Sequence, residues 1–179
     1  MTMYSSERYP LLATTRSRIA VPRERALVLG VGAAACLPVV VATVRALRAQ
    51  WMPLGDQGII ATRAYDVFTV HTPLLGQYSE ASTVTGQPTY SPGPLLYWLL
   101  AVPARVGAPG SLTLTMAALN VACIMGAVAL ARRRGGDLLM VLTGVAIALA
   151  CLSLSAESLH GIFNPSAALF PFLLLVFLC

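Results

Sequence analysis

Long charge-free apolar runs alternate along the chain with short polar stretches that carry nearly all of its charge. The first run, "ALVLGVGAAACLPVVVATV" (26–44), is about nineteen residues long. As a helix it is enough to cross a hydrocarbon core of ~30 Å. Pro38 inside it is expected to kink that helix, which a membrane tolerates. Two further runs, "SLTLTMAALNVACIMGAVALA" (111–131) and "LLMVLTGVAIALACLSLS" (138–155), are separated only by "RRRGGD". A fourth, "SAALFPFLLLVFLC" (166–179), has about fourteen residues and reads as a span cut short. The expectation is the amino-terminal part of a longer chain. The fold class predicted is all-α, a polytopic transmembrane helical protein of about four spans (26–44, 111–131, 138–155 and 166–179).

Residues 45–110 follow a different pattern. In "DQGIIATRAYDVFTV" (56–70) a helical rhythm sets Ile60, Ala64, Val67 and Phe68 on one side and Thr62, Asp66 and Thr69 opposite. This predicts a short amphipathic helix lying on the bilayer, apolar side down. Asp56 stands directly before it, where an N-cap belongs. "YSEASTVTGQPTYSPGP" (78–94) is turn-rich, and Pro92 and Pro94 forbid a continuous helix there. "LLYWLLAVPARVG" (95–107) is apolar but too short to span, which predicts an interfacial helix, with Tyr97 and Trp98 at headgroup level.

Charge decides between a spanning and a surface 95–106. All twelve cationic side chains are arginine. With 95–106 on the surface, the basic tail 1–25 and Arg132–Arg134 share the cytoplasmic side, and Arg45, Arg48, Arg63 and Arg105 lie outside. That arrangement obeys the positive-inside rule. It predicts a multi-pass plasma-membrane protein with a cytoplasmic amino terminus and an outer loop (45–110) carrying surface helices. A cleaved signal peptide fits less well, because the first run is long for one and is followed by Arg45 and Arg48 without a clean A-x-A site.

Composition agrees: 57% of residues are hydrophobic and 11% charged, and mean hydropathy is +0.75. Soluble domains carry about 25% charged residues. The net charge of +5 sits beside apolar spans, which suits membrane topology and not nucleic acid. Cys36, Cys123, Cys151 and Cys179 all fall in apolar runs without ligand spacing, so they are expected to be buried small hydrophobes. No GxGxxG, Walker, HExxH or GxSxG motif occurs.

The polar groups with chemical potential collect on the expected outer face: Asp56, Arg63, Asp66, His71, Glu80, Glu157, His160 and Asn164. Carboxylates beside arginines can hold a divalent cation, grip a phosphate and take a proton from a hydroxyl. Each has a plainer role. Asp56 caps a helix, Arg63 and Asp66 form a surface ion pair three residues apart, and His71 and His160 are lone histidines.

Taken in order, "PLGDQGIIATRAYDVFTVHTPLLGQYSE", "YSPGPLLYWLLAVPARVG" and the runs flanking "ARRRGG" up to "FNPSAALFPFLLL" resemble the polyprenyl-phosphate-dependent GT-C glycosyltransferases. Aminoarabinose transferases and protein O-mannosyltransferases are members of that superfamily. The chain looks most like a group of bacterial membrane proteins assigned to it. The resemblance implies a transferase that moves a sugar from a polyprenyl-phosphate donor to an acceptor on the outer face. It implies Asp56 as base or metal-linked carboxylate, with Mg or Mn as the cation. Arg63 and Asp66 are expected near the carrier phosphate, and the 71–94 loop is expected to close over the site. Two positions depart from the family pattern. Gln57 follows Asp56 where the family often has Glu, and Ser91 stands where many members have His. The partners expected are the lipid-linked donor and membrane lipids. The alternative is a non-catalytic polytopic protein, a transporter segment or an envelope-assembly scaffold.

Overall fold

The computed structural model describes residues 23–91 and 93–179. Their regular structure is helical: α1 (Arg23–Arg48), α2 (Asp56–Asp66), α3 (Ala81–Thr85), α4 (Leu95–Val106), α5 (Ser111–Ser153), α6 (Ala156–His160) and α7 (Asn164–Leu178). An isolated antiparallel bridge joins Tyr78 to Tyr90, and no strand occurs among the described residues. α1 and α5 are long and apolar enough to cross a membrane; α4 and α7 are shorter apolar helices. The expected basic tail lies largely outside the described residues. Its last three members, Arg23, Glu24 and Arg25, form the first turn of α1, which continues unbroken through Pro38.

α5 is two arms, not one rod. Gly135 (φ −138°, ψ 18°) and Gly136 (φ 69°, ψ −162°) leave helical geometry in its middle. Met125 lies against Gly32 and Gly144 against Val31, so both arms touch the same turn of α1. A straight helix would hold residues 125 and 144 about 28 Å apart. The chain therefore reverses at the glycines. Cys36 meets the carbonyl of Val121, so the first arm (111–134) runs antiparallel to α1. α7 follows the first arm: Leu174 packs on Gly126, and the Arg134 guanidinium donates to the Leu178 carbonyl at 3.0 Å.

This gives the bundle two poles. At one, Arg132 pairs with Asp137 at 2.8 Å and reaches Glu24 at 3.8 Å, beside Arg133 and Arg134. At the other lie Trp51, α2, α4 and α6. Between them the core is built from small side chains (Ala35, Cys36, Val39, Ala127, Val128, Cys151) with Ile124, Met140 and Ile147. Small residues at these contacts let the helices approach closely in van der Waals contact. Cys36, Cys123 and Cys151 are buried as expected, but Cys179 is exposed.

The amphipathic reading of α2 needs two corrections. Its buried face is Ile60, Ala64 and Val67, but Phe68 is exposed. That face does not lie on the bilayer. It packs on Tyr97, Leu100 and Ala101 of α4, with Met116 and Ile162 completing the cluster. A second apolar helix is at hand and covers the stripe. For the same reason Tyr97, only 2% exposed, faces this core, whereas Trp98 is exposed. Burial raises the Tyr97 phenol above its ordinary range, with Arg63 pulling it down. The turn-rich 78–94 loop and the 156–165 loop each hold one short helix, α3 and α6. The second was announced by Ser155, whose hydroxyl accepts from the Ser158 amide as an N-cap.

The reversal at Gly136 is a testable point. Nothing lies within 4 Å of where a Cβ would stand, so a side chain there costs only backbone strain. Gly136→Ala should lower unfolding stability in detergent by about 1–3 kcal/mol, since this conformation is open essentially to glycine alone. Gly30→Ala, in open space within α1, should be neutral or stabilising by up to ~1 kcal/mol. Equal melting shifts for the two would remove the reversal argument.

Candidate functional site

A cleft of about 300 Å³ opens at the Trp51 pole, lined by Leu54, Asp56, Gln57, Ser155, Glu157, Ser158, Phe163 and Ser166. It lies where the start of α2 meets α6 and the start of α7. Gly55, at φ 56°, makes the turn into α2 and is the N-cap residue. Asp56 is therefore the first residue of the helix and not its cap, and its side chain makes no capping bond. A carboxylate in the first turn still meets the positive end of the helix dipole. Its Oδ1 accepts a hydrogen bond from Gln77 Nε2 at 3.1 Å, which brings the 71–94 loop onto the site.

Gln57 has a role that a missing carboxylate would not suggest. Its Oε1 accepts from the Ile162 amide at 2.8 Å, and its Nε2 donates to Glu157 Oε1 at 2.6 Å. Because a backbone N–H must meet the amide oxygen, the orientation of the amide is fixed, and its NH2 necessarily faces Glu157. One side chain thus ties α2 to α6 and holds Glu157 at the cleft. A glutamate at position 57 would bring two carboxylates together instead. Asp56 and Glu157 face the same space from elements a hundred residues apart.

Below the cleft, Asn120 of the first arm donates to the Leu159 carbonyl at 3.0 Å and is 1% exposed. The ring of His160, 5% exposed, meets that of Trp51 edge-on at 5.1 Å between centroids. His160 Nδ1 and Asn120 Oδ1 are buried without a hydrogen-bond partner among the described residues. Burial lowers the His160 imidazole below its ordinary range, with Glu157 and a backbone hydrogen bond acting weakly the other way. A histidine depressed in the folded state is neutral in both states above its unfolded pKa. As pH falls below about 6.5 the unfolded form takes up the proton first, so stability drops. Melting temperature in detergent should therefore fall between pH 7 and pH 5, and His160→Phe should flatten that part of the profile. An unchanged slope in the variant would remove His160 as the cause.

The other expected site residues are placed as follows. Arg63 is exposed, two turns beyond Asp56 on the same side of α2, about 10 Å away by helical rise. Asp66 ends α2 and is not in the cleft. The described ion pairs both involve Arg132, so Arg63 and Asp66 do not pair with each other. His71 and Glu80 are exposed in the 71–94 loop, and Asn164 opens α7.

The donors available to a cation are Asp56, Glu157 and the hydroxyls of Ser155, Ser158 and Ser166, all hard oxygens. No group of three or more His, Cys, Asp or Glu side chains occurs among the described residues. Two carboxylates beside hydroxyl oxygens is a hard-oxygen donor set of the kind that suits Mg or Mn. Gln77 and the serines were not singled out by sequence, and Gln57 only as a departure from the family pattern; the partners of Gln57 and Gln77 are too distant along the chain. No family model, curated protein or solved structure matches this chain.

Proposed function

We propose that the chain acts as an integral membrane glycosyltransferase, moving a sugar from a polyprenyl-phosphate carrier to an acceptor at the Trp51 pole. The observation that carries this reading is the pair of carboxylates, Asp56 and Glu157, each held by an amide in a cleft where the apolar helices end. α1, the two arms of α5 and α7 would cross the plasma membrane. The arginine-rich pole would lie in the cytoplasm, with the amino terminus, in keeping with the positive-inside rule.

In this reading the acceptor hydroxyl lies against Asp56. Its proton passes to the Asp56 carboxylate as its oxygen bonds to the sugar's anomeric carbon. The bond from that carbon to the phosphate oxygen breaks, and its electron pair leaves on the carrier phosphate. Arg63, on the same side of α2, would meet that phosphate, and Asp66 would stand behind it near the helix end. Asp56 and Glu157 would hold Mg or Mn, which would supply further neutralisation of phosphate charge. Gln77 and its loop would limit water at the reacting centre.

The test is transfer of labelled sugar from a polyprenyl-phosphate donor by the protein in proteoliposomes, comparing wild type with Asp56→Asn and Glu157→Gln. Turnover lost in the first and reduced in the second supports the reading. Equal turnover in all three would leave the non-catalytic polytopic protein, a transporter segment or envelope-assembly scaffold.

A further inference from the structure

α4 is apolar on two opposite sides. Tyr97, Leu100, Ala101 and Ala104 turn inward onto α2 and α5. Leu95, Leu99, Val102 and Val106 recur at spacings of four, three and four residues on the other side, and all are exposed, Leu95 at 80%. A helix that is apolar all round is covered all round. The described chain covers only one side.

The flank of the exposed side carries an arginine in an unusual setting. The Arg105 guanidinium lies over the ring of Tyr65 at 5.1 Å and that of Phe68 at 5.6 Å from the centroids, and both rings are themselves exposed. The described ion pairs all involve Arg132, and no acidic residue occurs between Glu80 and Asp137. A guanidinium held over aromatic faces keeps N–H donors at its edge, the fork that matches a phosphate. Trp98 stands two turns away on the same flank and is exposed. The position of α4 is fixed by the structure: Ser111 Oγ donates to the Pro103 carbonyl at 2.8 Å, tying its last turn to the start of α5. α5 is long and apolar enough to cross a membrane, so α4 lies at the level where it would enter one.

We propose that α4 binds an anionic phospholipid bilayer surface, with Leu95, Leu99, Val102 and Val106 in the acyl boundary and Arg105, braced by Tyr65 and Phe68, on a lipid phosphodiester. Charge complementarity and attachment to α5 favour a bilayer over a second copy of the chain or a soluble partner. Nothing in this assignment requires the cleft to be catalytic. A free phosphate offers the same group without the chains that the apolar side needs.

The experiment uses the full chain carrying Trp51→Phe, so that Trp98 is the one tryptophan, reconstituted in vesicles. Acyl chains brominated near the headgroup quench tryptophan only on contact. They are placed on an anionic phospholipid in one series and on a zwitterionic one in another. Trp98 should be quenched in both, with roughly fivefold enrichment of the anionic lipid, the order that one basic residue contributes at an anionic surface. Arg105→Gln should abolish that preference and keep the contact quenching, while Arg48→Gln should keep both. Absence of quenching by either lipid, or quenching set by protein density and not by lipid, would overturn the bilayer assignment. Equal quenching by the two lipids in the parent, or preference lost in Arg48→Gln and retained in Arg105→Gln, would overturn the role of Arg105.

Discussion

Asp56→Asn should lower sugar transfer by roughly a hundredfold to ten-thousandfold, the range that a positioned base contributes, while lowering the melting temperature only slightly. The substitution separates chemistry from structure because of the neighbours Asp56 has. Asn keeps an oxygen at the place of Oδ1, so the hydrogen bond from Gln77 survives and the 71–94 loop stays docked. Asp56 makes no capping bond, Gly55 being the N-cap, so the start of α2 loses only the carboxylate's interaction with the helix dipole, about 0.3–1 kcal/mol. What disappears is the carboxylate's basicity and its pull on a cation. Asp56→Ala removes the Gln77 contact as well, and a larger fall in stability there than in Asp56→Asn would confirm that the tie is structural. Full turnover by Asp56→Asn, in a protein that melts normally, would end the transferase reading at this residue.

The second large effect concerns how the cleft is held. Gly161 links α6 to the segment leading into α7, and it is buried. A Cβ there would stand 2.7 Å from the Glu157 carbonyl and 2.8 Å from Gln57 Oε1, closer than carbon and oxygen approach. Its own φ of −72° suits any residue, so the penalty is steric alone. Neither neighbour moves freely. The Glu157 carbonyl accepts from the Gly161 amide at 2.7 Å, and Gln57 Oε1 is engaged by Ile162. Gly161→Ala should therefore destabilise the protein by about 1–3 kcal/mol, the usual cost of overpacking. It should also speed amide hydrogen exchange at Ile162 and across 155–163, and reduce transfer in step with that opening. Gly86→Ala is the counterpart: nothing lies within 4 Å of its Cβ position, and its only penalty is a φ of 68°. Unchanged exchange at Ile162 in Gly161→Ala would mean that Gln57 does not hold the two elements together.

The apolar pattern made the helical class and the long apolar helices α1 and α5 legible, because period and length are local properties. The runs 111–131 and 138–155 correspond to the two arms of α5, and "RRRGGD" marks their reversal. Local signals also placed α2 and α4. They could not say what those helices rest against. A stripe of Ile60, Ala64 and Val67 has the same pattern whether it faces acyl chains or Tyr97 and Leu100. Only the packing of α4 beside α2 made the choice, and it moved Tyr97 inward and left the opposite side of α4 open.

At the candidate site the division is sharper. The sequence by itself determined that Asp56 opens a helix near the end of an apolar run, since glycine and a carboxylate before a helical rhythm are a local signature. It could assign Gln57 only as a lost acid, and Glu157 only as one polar residue in a later loop. The tertiary structure decided that these two meet, that Gln77 reaches Asp56, and that Arg105 lies over the rings of Tyr65 and Phe68. Such contacts join residues from about twenty to a hundred positions apart. No periodicity or motif records them, because their geometry exists only once the helices have packed.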